Sequence, residues 1–285
     1  MKRLVLVLVA AVAGCGGDNG NNGGPDMSVS GGNDMTMVMT TTIAQARMGN
    51  VQTPITVNAV VIAINGMAPD AKEWYIQDPA GGAFSAVSVY CNKTAKTTPC
   101  PMSVTVPALH DLIQITGKLS TFKGKVELQP TGLSTMMANA AVPAPMTATA
   151  ADLVAGSTNA GIRGGIVKLT GTFTVDNVMP QALYNSKCAG DAGTNGLCSG
   201  CRPPTYGGFE VNDGSSHAIL VEQTFYNTDH LQSSPECVST GMPGMQVTAG
   251  KTFSMLGGIV DVDPFAASTN TVVLEPTADT DYTLQ

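Results

Sequence analysis

Seven cysteines, three histidines and a few close pairs of acids are the residues in this 285-residue chain whose types could carry chemistry. Six of the cysteines, Cys91, Cys100, Cys188, Cys198, Cys201 and Cys237, form an even set and read as three disulfides of an oxidising compartment. Cys91 and Cys100 stand alone in the first half and are expected to pair with each other, closing a short polar loop. The other four allow three connectivities, among which the spacing does not choose. Cys198-Ser199-Gly200-Cys201 has the C-x-x-C spacing of redox and zinc sites. A redox pair needs that motif at the start of a helix, and a zinc site needs thiolates kept reduced. Set among Gly, Pro and Asn, these cysteines read as structural.

His110, His217 and His230 are scattered without ligand spacing, and no G-x-S-x-G, Walker loop or carboxylate pair in a motif is present. No catalytic residue, metal site or cofactor is therefore expected, and the chain reads as non-enzymatic. Asp261-Val262-Asp263 and Asp279-Thr280-Asp281 lack the loop glycine and terminal Glu of an EF-hand and read as solvated acidic turns. Met35-Thr36-Met37-Val38-Met39 offers thioethers to a soft metal ion, but no His or Cys lies beside it to complete a site.

A second kind of chemistry is stacking and charge. Trp74, Tyr75, Phe84 and Phe122 lie close in sequence to Lys118, Lys123 and Lys125, with Lys93 and Lys96 nearby. Aromatic faces beside lysines can stack the bases of a single strand and neutralise its phosphates. Between Asn50 and Thr135 six lysines face five acids, whereas Gly161 to Gln285 holds five basic and twelve acidic residues. The basic patch is modest, and the chain as a whole is acidic, so a large polyanion is not the partner its net charge implies.

The elements that must position these residues are strands. Charged residues make up 12% and aromatics 5% of a chain rich in Gly, Thr and Val, which is the composition of an exported all-β protein with many turns. Thr42 caps a short helical turn ending at Arg47, and Ile55 to Ile64 is a long Val- and Ile-rich strand. Trp74 to Gln77 and Phe84 to Tyr90 form a hairpin around Asp78-Pro79-Ala80-Gly81-Gly82. Leu112 to Leu119 alternates as a half-buried strand, and Val126 to Pro130 closes the unit.

The pattern then restarts with Thr149 to Leu153, Ile166 to Val175, Gly207 to Val211, Ala218 to Phe225, Phe253 to Val262 and Val272 to Thr277. In this alignment Tyr75 matches Phe209, Gly117 matches Gly257 and Pro130 matches Pro276. The expected fold is all-β, two tandem five-stranded antiparallel barrels with short lead-in helical turns. Residues 1–14 form a signal, 15–40 a tether, 41–133 the first barrel, 134–148 an Ala/Pro linker and 149–285 the second barrel. Insertions in the second copy fall between strands and carry Cys188, Cys198, Cys201 and Cys237, with Tyr184, Arg202, Tyr206 and Tyr226 as candidate interface anchors.

Two resemblances extend this reading. Lys2-Arg3, the apolar stretch Leu4 to Ala11 and Val12-Ala13-Gly14-Cys15 resemble a bacterial lipoprotein signal, which implies export, lipidation at Cys15 and a membrane as partner. Gly16 after that cysteine favours the outer membrane or cell surface. Thr42 to Arg47, Ile55 to Ile64, Trp74 to Gly82 and Thr116 to Gly124 resemble the OB-fold domains of secreted bacterial nucleases and surface proteins. The resemblance implies OB-like barrels, with the second, more divergent copy beginning at Ala150 to Gly156. OB barrels host many unrelated roles, and the separate metal-dependent catalytic domain of the nucleases has no counterpart in the sequence. The expected function is that of a lipid-anchored binding or interaction module for an envelope protein or glycan; the alternative is single-stranded nucleic-acid binding by the first barrel.

Overall fold

The computed structural model describes residues 40–49, 54–64, 73–95, 99–154, 157–177, 208–222, 231–232, 245–263 and 271–285. Cys15, Lys96, Cys188, Cys198, Cys201, His230, Cys237 and the four candidate loop anchors lie outside the described residues. Both barrels belong to one compact unit, Val38–Gln285.

Helix α1 (Ile43–Met48) opens the first barrel. Thr42 caps it reciprocally with Gln45, and the carboxylate of Asp78 accepts from Ile43 N at 2.8 Å and Ala44 N at 3.0 Å. An acid from the hairpin turn thus satisfies the helix's orphan N–H donors and ties two sequence-distant segments together. Five strands follow, β1 (Ile55–Ile64), β2 (Glu73–Gln77), β3 (Ala86–Tyr90), β4 (Leu112–Phe122) and β5 (Lys125–Met137). They close in the order β1-β2-β3-β5-β4, with β4 returning to β1.

The barrel is mixed rather than wholly antiparallel, because β3 and β5 run parallel through Ser88–Glu127 and Val89–Leu128. Closure forces this. An odd ring cannot alternate direction at every step, so a closed five-stranded barrel must contain a parallel neighbour pair, which the expected antiparallel barrel overlooked.

Strand β6 (Met146–Thr147), helix α2 (Ala150–Leu153) and β7 (Ile166–Asn177) begin the second barrel. After them come β8 (Gly208–Asn212), β9 (Ala218–Glu222), the short parallel pair β10 (Leu231–Gln232) and β11 (Met245–Gln246), then β12 (Thr252–Asp263), β13 (Thr271–Glu275) and β14 (Tyr282–Leu284). Strands β7, β8, β9, β13 and β12 form the ring, closed by β12 on β7, with β6 and β14 added outside it. Its parallel pair is β9 with β13, the counterpart of β3 with β5. The second copy therefore repeats the first in topology, consistent with OB-like barrels.

Side-chain direction corrects the internal alignment by one residue in two places. Trp74 and Phe209 both point into their barrel cores, whereas Tyr75 points out, so Trp74 is the true counterpart of Phe209. Gly117 and Gly258 each sit where a Cβ would collide with the carbonyl of the crossing strand, at Gln129 and Glu275 respectively, and so Gly258 matches Gly117. A bare backbone lets the long β4 and β12 cross their neighbours closely.

The first core gathers Val57, Val61, Trp74, Ile76, Val87, Ile113, Ile115 and Leu128, and includes the disulfide Cys91–Cys100. In the second, Phe209 stacks on Phe253 at 5.6 Å between centroids, and Tyr282 meets Phe253 edge-on at 6.3 Å. A third apolar cluster belongs to neither interior. It joins Val60, Ile62, Ala63, Tyr75 and Ala86 on the outside of the first barrel to Ile166 and Ile259 on the outside of the second.

Candidate functional site at the junction of the barrels

Alternation along a strand sends neighbouring side chains to opposite faces, and in the first barrel this decides what can meet a ligand. On β2, Trp74 and Ile76 turn inward, which leaves Glu73, Tyr75 and Gln77 on the outer face with Ala86 and Ser88 of β3 and Lys125 and Glu127 of β5. The strand 2–3 face is the one OB barrels use for oligonucleotides and oligosaccharides. Here the second barrel covers it.

The contact is stapled at several points. Arg47 Nη1 donates to the carbonyls of Ala86 at 2.5 Å and Arg163 at 2.8 Å, and Nη2 donates to that of Ala160 at 2.8 Å. Phe84 N donates to Gly161 O at 2.6 Å, and the Arg47 guanidinium lies 5.5 Å from the centre of the Phe84 ring. Gly164, at a φ of +82°, packs its bare Cα side against the Ala86 and Val87 backbone.

Beside the staple lies a buried charged cluster. Lys125 Nζ pairs with Glu73 and with Asp261 Oδ2 at 2.6 Å, and sits 5.1 Å from the centre of the Tyr75 ring. Glu222 and Glu275 close the cluster from the second barrel, Glu127 from the first, and all three are buried. Four carboxylates, Glu73, Glu127, Asp261 and Glu275, thus act on one ammonium, and Glu222 acts on Glu275 beside them. Burial alone would lower the Lys125 pKa, but Asp261, Glu73 and Glu275 outweigh it and hold the ammonium above the usual lysine range. Burial pushes the carboxyls the other way: Asp261 is raised despite Lys125, Glu275 is raised well above its ordinary value with Asp261 and Glu222 adding to the effect, and Glu127 is pushed up to about 7. These upward shifts favour the protonated carboxyls and so oppose the excess negative charge. Oε2 of Glu275 and the buried hydroxyl of Ser88 have no hydrogen-bond partner among the described residues.

The sequence-derived stacking set is divided by this arrangement. Trp74 is core, with no exposed surface and no partner for Nε1 among the described residues. Tyr75 and Lys125 are sealed at the junction, and Phe84 is half-buried against Arg47. Those four cannot form a stacking platform in the closed molecule. Lys118, Phe122 and Lys123 remain exposed on the β4–β5 hairpin, where Lys123 Nζ stands 5.7 Å from the Phe122 ring centre.

Asp261, expected in a solvated acidic turn, is instead a buried β12 residue, because the outer face of that strand abuts the first barrel. Asp281 does sit in a turn, where its Oδ2 accepts from Thr277 N, Thr277 Oγ1 and Ala278 N. The β8–β9 turn brings Asp213, Ser215 and His217 together, but Ser215 Oγ and Asp213 both meet the same ring nitrogen, Nδ1. A nucleophile relay needs the two nitrogens on opposite partners, so this is a turn-capping arrangement.

Arg47, Arg163, Ser88, Glu222 and Glu275 were not singled out from sequence as site residues. Glu222 and Glu275 did carry a signal, since each ends a short apolar strand, Ala218–Glu222 and Thr271–Glu275. Arg47 ends the Thr42 to Arg47 turn, whose sequence gives it no separate role.

No family model matches the chain, and no curated protein matches it. Among solved structures it is similar to "OBody AM1L10 bound to hen egg-white lysozyme", at 20% identity over 30% of this chain and 80% of that chain, with a TM-score of 0.22.

Proposed function

We propose that this is a non-enzymatic binding or interaction module, exported and anchored through a lipid on Cys15, whose two OB-like barrels act as one rigid body. The barrels are read as the type found in secreted bacterial nucleases and surface proteins. One observation carries the reading: the strand 2–3 face of the first barrel, with Tyr75 and Lys125, is spent on the second barrel. Recognition then falls to surfaces outside the junction, and the β4–β5 hairpin with Lys118, Phe122 and Lys123 is the leading one. An aromatic face flanked by lysines suits an acidic or carbohydrate-bearing envelope partner. The same exposed trio supports the alternative, a single-stranded nucleic acid, with fewer stacking groups than the sequence offered.

The test is site-specific photocrosslinking in intact host cells, with benzoylphenylalanine in place of Phe122 and, as control, at exposed Thr170. A discrete adduct from position 122 alone supports the module, and nuclease sensitivity of that adduct selects the alternative. Equal or absent crosslinking at both positions contradicts the hairpin as the recognition surface. Membrane fractionation of Cys15→Ala checks the anchor, which is wrong if the variant still sediments with membranes.

A further inference from the structure

We infer that the cleft between the barrels, lined by Arg47, Arg163 and Ser88, is a binding site for one small oxyanion. The cleft has a volume of about 50 Å³, with Lys125, Asp261 and Tyr75 also on its wall. A space of that size accommodates roughly four waters, or a single tetrahedral or carboxylate anion.

Its charge is unbalanced. Among the described residues the Arg47 guanidinium donates to three backbone carbonyls, and that of Arg163 to the Ser157 carbonyl at 2.7 Å. Neither guanidinium has an acidic partner among the described residues. Buried guanidinium groups ordinarily pair with carboxylate or phosphate, for which their forked donors are shaped. Burial, with Arg163 adding to it, lowers the Arg47 pKa to about 10. Asp261 does not supply that anion, because it is engaged by Lys125 at 2.6 Å.

The Ser88 hydroxyl is a second, independent sign. It is 1% exposed, lines the cleft and has no hydrogen-bond partner among the described residues. A buried donor left unmade is costly, and an anion's oxygen would accept from it. The cleft wall thus carries Arg47, Arg163 and Lys125 against Asp261 alone, with the other carboxylates of the cluster off the wall, and an oxyanion there would bridge the barrels as well as fill the void. This site is independent of what the outer hairpin binds.

Isothermal titration of the full chain with inorganic phosphate, sulfate and acetate, each at constant ionic strength, tests the site. The expected result is saturable binding of one anion per chain. Affinity should fall at least tenfold in Arg163→Gln and about three- to tenfold in Ser88→Ala, which removes one hydrogen bond. Lys168→Gln, a change at an exposed lysine of β7, should leave it unaltered. Preference for phosphate and sulfate over acetate would mark a tetrahedral ligand, and the reverse a carboxylate. Because Ser88 holds no partner among the described residues, its alanine variant should stay folded and read the site even if Arg163→Gln does not. The inference is overturned if no anion gives saturable heat, or if binding survives Ser88→Ala and Arg163→Gln unchanged.

Discussion

Lys125 of the first barrel and Asp261 of the second meet across the junction, Nζ to Oδ2 at 2.6 Å, with side chains only 6% and 9% exposed. A buried pair of this kind is weak support for stability but strong support for geometry, because breaking it strands a charge. It sits inside an excess of carboxylates whose pKa values burial raises.

Replacing Lys125 with methionine leaves Asp261 buried without its ammonium, with the Tyr75 hydroxyl as its remaining side-chain partner. The expected loss is about 3–5 kcal/mol at neutral pH, read from urea midpoints. The double variant Lys125→Met, Asp261→Leu should recover most of it, since an apolar pair suits the same site. Recovery would fail if the two residues did not meet.

The carboxyl cluster sets the pH dependence. Glu127 is raised from 4.5 to about 7, chiefly by burial and against the pull of Lys125. The folded state therefore binds this proton more tightly than the unfolded chain, and stability falls as pH rises from about 4.5 to about 7. Asp261 and Glu275 act in the same direction. Thermal midpoints should decline between pH 5 and pH 8, and Glu127→Gln should flatten that decline. A wild-type profile that rises over this interval would contradict the cluster.

Gly117 and Gly258 have the same task in the two barrels. Alanine at either drives a methyl into the crossing strand's carbonyl, with an expected cost of about 1–3 kcal/mol. Gly258→Ala should cost more, because φ there is +138°. Gly257→Ala, whose nearest contact would be Val167 O at 3.0 Å, should be milder. Thermal denaturation of the three variants ranks them, and a reversed order would restore the alignment of Gly117 with Gly257.

The Cys91–Cys100 bond closes a loop with a sequence separation of 9. Chain-entropy reasoning gives about 2.5 kcal/mol for such a loop, so Cys91→Ala with Cys100→Ala should lower the unfolding free energy by that amount, read as a lower urea midpoint. An unchanged midpoint would mean that packing alone holds the loop.

Much of the architecture was legible because it rests on local patterns. Ile55 to Ile64 forms a strand with the expected bounds, and the second copy of each barrel strand is visible through shared Gly, Pro and apolar positions. The parallel pairs were not read, although ring closure with five strands already requires one. Period-two alternation says that Trp74 and Tyr75 face opposite ways, but not that a second barrel will cover Tyr75. For the same reason Lys125 read as a surface cation and Asp261 as a solvated turn. Burial between two folded bodies depends on contacts from more than a hundred residues away, as with Arg47 and Arg163, and no local spacing encodes it.

Lysine footprinting of the full chain reaches the central claim, that the second barrel seals the strand 2–3 face of the first. Lys123 and Lys125 are two residues apart, the first exposed and the second 5% exposed. Brief treatment with an amine-acylating reagent, followed by mass spectrometry, should label Lys118 and Lys123 readily and Lys125 at least tenfold more slowly. Labelling of Lys125 at the rate of Lys123 would show the face open to solvent and contradict the sealed junction.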